Sequence, residues 1–226
     1  MSPTIVSIEG NIGVGKSTLI NQIELYLIRS NITDVIVLKE PVEEWTDIVD
    51  STDGESVLTK FYNDPEKFSF SFQVLVLNTL LKLLKKTIEL NPKCRVIICE
   101  RSILSSRQVF AKMLFNSSKM NEVEYKIYES LFDNDMKVFT PSKIVYINVA
   151  PEVCLQRILK RNRSAENEIC LDYLIQCDKY HQKWLLLTEY DKTEVLTICC
   201  DDDVNYDSNP NDGYEWIKQI IDFSTN

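Results

Sequence analysis

Residues 5–20 read IVSIEGNIGVGKSTLI, an apolar stretch that runs directly into the pattern G-x-x-x-x-G-K-[ST]. Glycines in such a loop let backbone N–H groups point at phosphate oxygens, and the helix that begins near Lys16 adds its positive end. A strand pattern before the loop and a helix pattern after it predict phosphate binding, with Lys16 at the β- and γ-phosphates and the Ser17 hydroxyl facing Mg²⁺. The predicted phosphate contacts are Gly10, Asn11, Gly13, Gly15, Lys16, Ser17 and Thr18.

Composition and net charge limit the kinds of ligand that a protein with this loop can bind. The 226 residues fit one domain, and 44% hydrophobic with 26% charged residues is ordinary for a water-soluble globular protein. The formal net charge is −9, whereas proteins that bind duplex DNA or RNA usually carry a basic face. A local basic cluster of Arg157, Lys160, Arg161 and Arg163 stands out against this acidic background. We expect it to meet a small anionic ligand, and we expect no nucleic-acid polymer as a partner.

Several sequence features favour a cytoplasmic, reducing location. No apolar run is expected to cross a membrane, and the longest, Val74 to Leu84, is interrupted by Asn78 and Lys82 like a buried helix face. The N-terminus has no secretory-signal pattern. The seven cysteines include no C-x-x-C pair, so we expect reduced thiols and no structural zinc. The single histidine, His181, is expected on a helix surface.

Strand-like and helix-like stretches alternate along the chain, which is the pattern of an α/β fold with a parallel sheet. In such a sheet, ligands bind beyond the carboxyl ends of the strands, so the residues that follow each strand are site candidates. The predicted strands are Thr4–Glu9, Val35–Lys39, Arg95–Cys99, Lys143–Val149 and Val195–Cys199. The predicted helices are about Lys16–Arg29, Pro65–Leu90, Ile103–Phe115, Asn121–Phe139, Pro151–Arg161, Leu171–Tyr190 and Gly213–Phe223.

Glutamates follow the second and third predicted strands. Pro41 holds Glu40 in an extended conformation at its strand end, and Glu100 follows an apolar run at the mouth of the core. Phosphoryl transfer needs a base for the acceptor hydroxyl, a ligand for Mg²⁺ and positive charge on the transferring group. The two glutamates and the neighbouring Arg101 can supply these parts.

The run RILKRNR, residues 157–163, places three arginines near the end of a predicted helix. Alone it would be interpreted as a solvated helix end, because basic residues favour helix C-termini. Together with the phosphate loop, the three arginines are predicted to form a lid that closes over the phosphates.

Six stretches in the same order resemble the deoxyribonucleoside kinase family, which includes deoxycytidine, deoxyguanosine and mitochondrial thymidine kinases. The resemblance runs from the phosphate loop to about Asn205 and implies a P-loop kinase, with a five-stranded parallel sheet flanked by helices. It also implies a single domain over residues 1–226 with an arginine-rich lid at about residues 161–168. The stretches are EGNIGVGKST, EPVEEW, FYNDPEKFSFSFQ, ERSILSSRQVF, PEVCLQRILKRNRSAENEICLDYL and DDDVNYD.

Carried over residue by residue, the resemblance implies a site for ATP, Mg²⁺ and a deoxynucleoside. Glu40 is the implied base for the 5′-hydroxyl, and Arg101 orients that hydroxyl and the base. Ser17 and Glu100 serve Mg²⁺, Arg157, Arg161 and Arg163 are lid arginines, and Tyr206 and Asp207 lie near the adenine. Tyr62 and Glu166 hold the 3′-hydroxyl, and Gln73 pairs with the nucleobase edge. The other implied nucleoside contacts are Trp45, Phe61, Phe72, Val76, Leu80, Ser106 and Phe110.

The residues around Gln73 predict which nucleoside is preferred. A flat amide offers one donor and one acceptor, which matches a pyrimidine edge. Leu80 and Ser106, with Val76 nearby, replace charged residues found in deoxycytidine-type enzymes and leave room for the thymine methyl group. We expect a preference for thymidine, with deoxycytidine and deoxyuridine accepted, because a methyl group contributes only ~1–3 kcal/mol of discrimination.

The resemblance also implies a homodimer through the long helix that holds Gln73 and its neighbour. Cys170 departs from the family pattern after the lid. Two alternative functions remain. A nucleoside monophosphate kinase would share the loop and the lid, but Glu40 would repel the phosphate of its acceptor. An ATP-dependent switch module would not need an aromatic nucleoside pocket.

Overall fold

The computed structural model describes residues 2–132, 134–163, 166, 168–186, 193–200, 204, 206 and 212–225 of the chain. Its centre is a five-stranded sheet in the order β2-β3-β1-β4-β5, and every neighbouring pair is parallel. The predicted parallel α/β fold is therefore confirmed, with each strand within a residue of its predicted bounds. The strands are β1 Thr4–Gly10, β2 Val35–Leu38, β3 Val96–Glu100, β4 Lys143–Asn148 and β5 Glu194–Cys199.

Burial along the strands explains their sequences. All five residues of β3 are buried, and Ile97 and Ile98 have no exposed surface. Helices cover both faces of the central strands, so these strands are continuous β-branched runs without polar alternation. The edge strand β5 is mostly exposed, with Ile198 as its buried residue.

Helices connect consecutive strands and flank the sheet. Helix α4 begins at Pro65 in the first position, and the Asp64 side chain accepts a hydrogen bond from the N–H of Lys67. The helices are α1 Lys16–Arg29, α2 Val42–Asp47, α3 Val57–Asn63, α4 Pro65–Leu90, α5 Ile103–Ser105, α6 Lys112–Asn116, α7 Glu122–Ser130, α8 Pro151–Arg161, α9 Leu171–Leu185 and α10 Asp212–Thr225. A π-helical segment, Ser106–Ala111, joins α5 to α6, and a 3₁₀ helix spans Asn134–Phe139.

One helix prediction is wrong, and two short helices were missed. The single helix predicted over Asn121–Phe139 is wrong, because α7 ends at Ser130, the chain turns, and a separate 3₁₀ helix follows. Residues 131–135 read LFDND, and Asp and Asn are weak helix formers in general. The short helices α2 and α3 were not predicted, and the predicted end of α9 at residues 187–190 lies outside the described residues.

Helix α4 bears on the expectation that no apolar run crosses a membrane. By length and composition it is the one helix in the described ranges that would be long enough to cross a membrane. Its buried residues include Phe72, Gln73, Val76 and Leu80, which face the interior. Helix α4 therefore fits the core helix of a soluble protein.

The prediction that His181 lies on a helix surface is wrong. Its side chain is fully buried on the inner face of α9, and its ring stacks on Tyr146 of β4 with centroids 6.2 Å apart. Nδ1 donates to the carbonyl of Cys177 at 2.7 Å, because a carbonyl oxygen can only accept. Burial lowers the pKa of His181 to about 3, so the imidazole is neutral and serves packing.

Candidate active site

The predicted phosphate loop connects β1 to α1, and two of its glycines are required by close backbone contacts. A Cβ atom on Gly10 would lie 2.5 Å from the carbonyl oxygen of Ile147, and one on Gly13 would lie 2.5 Å from that of Cys154. Both glycines also have positive φ, as does Gly15 at the start of α1. The loop is therefore held tightly against β4 and α8.

Lys16 folds back over this loop. Its Nζ donates to the carbonyls of Asn11 at 2.7 Å and Gly10 at 3.2 Å, and the residue is only 5% exposed. Burial, together with the nearby Arg101, lowers the pKa of Lys16 to about 8. Asn11, a predicted phosphate contact, donates from its side-chain amide to the carbonyl of Leu174 in α9 at 2.8 Å, so this side chain anchors the loop to α9.

Ser17 and Glu100, the two predicted metal residues, are in direct contact. The Ser17 hydroxyl donates to Glu100 Oε1 at 2.6 Å, and the backbone N–H of Glu40 reaches Glu100 Oε2 at 3.5 Å. Hydroxyl and carboxylate oxygens are the ligands that Mg²⁺ prefers, and Mg²⁺ in such sites is completed by substrate phosphates and water. The described residues contain no cluster of three His, Cys, Asp or Glu side chains that could hold a metal ion.

Glu40 and Arg101 form an ion pair at the ends of β2 and β3. Arg101 Nε lies 3.1 Å from Glu40 Oε1, and the two side chains are 8% and 17% exposed. Burial raises the pKa of Glu40, Arg101 opposes this change, and Glu100 adds to it. Glu40 is thus a carboxylate with increased basicity beside a fixed positive charge.

The backbone at Arg101 is unusual. Its φ of 62° lies in the left-handed region, which non-glycine residues rarely adopt. Its N–H donates to the carbonyl of Ile8 at 3.0 Å, Nη1 donates to Gly10 at 3.1 Å, and the guanidinium lies 4.8 Å from the Phe110 ring centroid. Several contacts therefore fix one conformation of Arg101 against the phosphate loop.

Glu9 is a buried acid that our sequence analysis did not single out. Its Oε1 accepts a hydrogen bond from the Ser102 hydroxyl at 2.6 Å, which joins the end of β1 to the turn that contains Arg101. Ser102 also forms a reciprocal capping box with Ser105 at the start of α5. A charged residue inside an otherwise apolar strand was the available signal. Burial raises the pKa of Glu9, and its Oε2 has no hydrogen-bond partner within the described ranges.

One cavity extends from the phosphate loop to Gln73 and collects most of the predicted site. Six lining residues were not predicted, namely Ile12, Val42, Leu58, Ser102, Ser105 and Tyr173. The predicted residues that line it are Gly13, Gly15, Lys16, Ser17, Thr18, Glu40, Trp45, Phe61, Tyr62, Phe72, Gln73, Val76, Leu80, Glu100, Arg101, Ser106, Phe110, Arg161, Arg163 and Glu166.

Aromatic side chains form a rigid wall of this cavity. Phe61 stacks on Phe72 with centroids 4.5 Å apart, and Trp45 meets the edge of Phe72 at 5.6 Å. The indole N–H of Trp45 donates to Thr79 Oγ1 at 2.9 Å, which fixes the orientation of the indole. A flat ring could stack here without ordering further side chains.

At the far end of the cavity lies Gln73, which is 2% exposed. Its Oε1 accepts from the Ser106 hydroxyl at 3.3 Å, and Ser106 Oγ lies 2.8 Å from the hydroxyl of Tyr128. Val76 and Leu80 lie on the same helix and are also buried. This end of the cavity is therefore uncharged and apolar apart from one amide and one hydroxyl.

Glu166 lies between two of the predicted lid arginines. It pairs with Arg161 and, at 3.5 Å, with Arg163. Burial and the nearby Glu166 carboxylate raise the pKa of Tyr62, so its hydroxyl stays protonated and able to donate. Three residues of the predicted lid, 164, 165 and 167, lie outside the described residues.

A second cavity lies beside the phosphate loop. Arg157 lines this cavity and does not line the first one. Arg157 Nη1 donates to the carbonyl of Val14 at 3.3 Å and lines only this cavity, whereas Arg161 lines both. The predicted Tyr206 lies here, while Asp207 falls outside the described residues. Further lining residues, which were not predicted, are Lys160, Cys200, Val204 and Trp216.

A phosphate loop, two strand-end glutamates and a set of arginines around one cavity define a P-loop phosphotransferase. The family model for deoxynucleoside kinases matches residues 6–222. Human deoxycytidine kinase is 34% identical over 243 residues, covering 96% of this chain and 88% of its own. Human mitochondrial thymidine kinase 2 is 34% identical with 81% and 64% coverage, and Gallus gallus deoxycytidine kinase 2 is 31% identical with 83% and 74% coverage. The chain belongs to the deoxynucleoside kinase family, as the sequence motifs predicted, and is an ATP-dependent phosphotransferase.

We predict that Glu9→Gln changes how stability depends on pH. Below pH 4.5, its ordinary pKa, Glu9 is protonated in both folded and unfolded chains. Above it, the unfolded chain releases the proton first, so the wild type loses free energy of unfolding as the pH rises toward the raised folded pKa. The variant keeps an acceptor for Ser102 but has no proton to lose. As the pH rises, the free energy of unfolding of Glu9→Gln should therefore increase relative to that of the wild type. The increase should be up to about 1.4 kcal/mol for each pH unit between the unfolded and folded pKa values.

Urea unfolding of both proteins between pH 5 and pH 8 measures this difference. Glu43→Gln, at an exposed position of α2, is the matched control and should follow the wild type. Parallel curves for the wild type and Glu9→Gln would show that Glu9 is ionised in the folded chain.

Proposed function

We propose that the protein transfers the γ-phosphoryl group of ATP to the 5′-hydroxyl of a deoxynucleoside, and that it prefers pyrimidines, with thymidine first. The observation that carries the proposal is the position of Glu40. It lies where the phosphate loop meets a cavity whose far end is aromatic, apolar and uncharged. A base at this junction suits a neutral acceptor with one hydroxyl near the loop and a ring at the far end.

Glu40 is proposed to accept the proton of the acceptor hydroxyl. Its burial raises its pKa and so makes it a better base, while Arg101 at 3.1 Å keeps it ionised and oriented. Arg101 would also hydrogen-bond the hydroxyl as its oxygen attacks. Because Arg101 is fixed by its own backbone contacts, the geometry exists before the substrate binds.

The negative charge of the γ-phosphoryl group would be stabilised by Lys16, Arg161 and Arg163, all of which line the same cavity. The Ser17 and Glu100 oxygens would hold Mg²⁺, which when bound neutralises charge on the β- and γ-phosphates. The remainder of ATP would extend past the loop into the second cavity, where Arg157 and Tyr206 lie.

The acceptor's sugar and base are assigned to the rest of the cavity. Tyr62 and Glu166, which lie close together, would hold the 3′-hydroxyl, and Gln73 would pair with the base edge between Phe72 and Phe110. Uncharged Val76, Leu80 and Ser106 support a pyrimidine, and the names of the human relatives, deoxycytidine kinase and thymidine kinase 2, agree. The family match over residues 6–222 supports a single kinase domain with an arginine lid.

The alternatives find less support. A nucleoside monophosphate kinase would bring a phosphate next to Glu40 and Glu100, two carboxylates that would repel it. A switch module that only hydrolyses ATP would not need the stacked aromatic wall of Phe61 and Phe72.

The direct test is ATP consumption in the presence of each of the four deoxynucleosides and their monophosphates. We expect thymidine and deoxycytidine to stimulate turnover, with thymidine favoured and with monophosphates at least about tenfold poorer, because an extra anion meets Glu40. A higher kcat/KM for deoxyguanosine or deoxyadenosine than for thymidine would contradict the preference. Stimulation by no deoxynucleoside would favour the switch module.

Glu40→Gln tests the role of the base. The amide keeps the shape but cannot accept the proton, so kcat should fall about 10²- to 10⁴-fold, while thymidine and ATP still bind. Binding is measured by calorimetry and turnover by a coupled assay. Glu43→Gln, three residues away and exposed, should retain wild-type kcat. Undiminished turnover by Glu40→Gln would remove Glu40 as the base.

We further propose a cytoplasmic homodimer. All seven cysteines are free thiols, which supports a reducing location. Val123 and Ile127 on α7, followed by Leu131, are 66%, 46% and 40% exposed and recur every four residues as an apolar strip. Light scattering at micromolar concentration should give twice the chain mass of 26.3 kDa, and Ile127→Lys should lower it. A wild-type mass of one chain would exclude the dimer.

A further inference from the structure

We propose that Tyr128 acts through Ser106 to fix the orientation of the Gln73 amide, and that it thereby biases the choice between thymine and cytosine. Tyr128 does not line the cavity, so it is a positioning residue behind the binding surface. The inference rests on the proposed function, because it takes Gln73 as the residue that pairs with the base.

The three side chains form a buried relay that joins three separate elements. Gln73 lies on α4, Ser106 begins the π-helical segment, and Tyr128 lies on α7. Their exposed fractions are 2%, 3% and 0%. Ser106 Oγ lies 3.3 Å from Gln73 Oε1 and 2.8 Å from the Tyr128 hydroxyl, so it bonds to both.

The number of protons gives the relay a direction. Gln73 Oε1 can only accept, so Ser106 must donate its single proton to it. The Tyr128 hydroxyl must then donate to Ser106 Oγ, since Ser106 has no second proton. In this arrangement both hydroxyl protons have acceptors.

A flipped amide would break this arrangement. It would turn Nε2 toward Ser106, which would accept its proton and lose Gln73 as an acceptor. Because Ser106 Oγ can accept two hydrogen bonds, Tyr128 could still donate to it, and the Ser106 proton would then need a new acceptor. If Ser106 donated to Tyr128 instead, the Tyr128 proton would need one. Neither the Tyr128 hydroxyl nor Ser106 Oγ makes another hydrogen bond within the described part of the chain. A buried donor without a partner is costly, so the relay favours one amide orientation.

The orientation matters because the two pyrimidines present opposite patterns. Thymine presents an acceptor at O4 beside the N3–H donor, and cytosine presents a donor at the 4-amino group beside the N3 acceptor. An amide held one way matches one of these patterns, and the flipped amide matches the other. Tyr128 therefore favours one base, and its loss should bring the two bases closer to equality.

Tyr128→Phe tests this with the ring, and hence the packing, retained. The measurement is the ratio of kcat/KM for thymidine to kcat/KM for deoxycytidine. We expect the wild-type ratio to differ from one by about tenfold, and Tyr128→Phe to move it toward one by about three- to tenfold. Ser106→Ala interrupts the relay from its other end and should move the ratio in the same direction.

Tyr125→Phe is the matched control, because Tyr125 lies on the same helix but stacks on Phe115, at 4.3 Å, away from the cavity. A role for Tyr128 in packing alone would lower both kcat/KM values together and leave the ratio unchanged. Thermal unfolding of each variant checks that it is folded.

Three results would overturn the inference: an unchanged ratio in both relay variants, an equal shift in Tyr125→Phe, or a wild-type ratio within twofold of one. These results differ from a failure of the proposed function. In that case the wild type would phosphorylate neither nucleoside, and the inference would fall with it.

Discussion

The buried ion pair between Arg101 and Glu40 is the interaction on which the site depends. Removing two charges from water is costly, and the cost is recovered only where geometry is good and further hydrogen bonds satisfy both groups. Here the parallel sheet brings the ends of β2 and β3 to one edge, and the backbones of Ile8 and Gly10 complete the partners of Arg101. The pair therefore couples two strand ends to the phosphate loop.

Much of this junction could be predicted because its residues directly follow the strands in the sequence. A phosphate loop after β1 and glutamates after β2 and β3 are local patterns, and a parallel sheet brings strand ends together whatever the loops between them do. Glu9 and Tyr128 could not be found in this way. Their roles depend on Ser102 and Ser106, which lie 93 and 22 residues away in sequence, and only the folded chain brings these hydroxyls to them.

The arginine run shows how local geometry redistributes a sequence motif. Arg157, Arg161 and Arg163 were predicted to act together as lid arginines, but α8 ends at Arg161, and Asn162 after it adopts a left-handed conformation with φ 51°. This turn carries Arg163 toward the first cavity while Arg157 stays on the helix at the second. Spacing alone predicted a positive cluster, whereas the end of the helix decides which cavity each arginine lines.

One end of the main cavity is charged and the other is neutral, and this difference suggests how hydrolysis of ATP could be avoided. The end at the phosphate loop holds Lys16, Arg101, Glu40 and Glu100, while the end at Gln73 is neutral. A water molecule near Glu40 would be a competing acceptor. A nucleoside that stacks on the aromatic wall would displace that water and place its own hydroxyl beside the base. Binding energy from the ring, which is remote from the reacting atoms, would then favour transfer over hydrolysis.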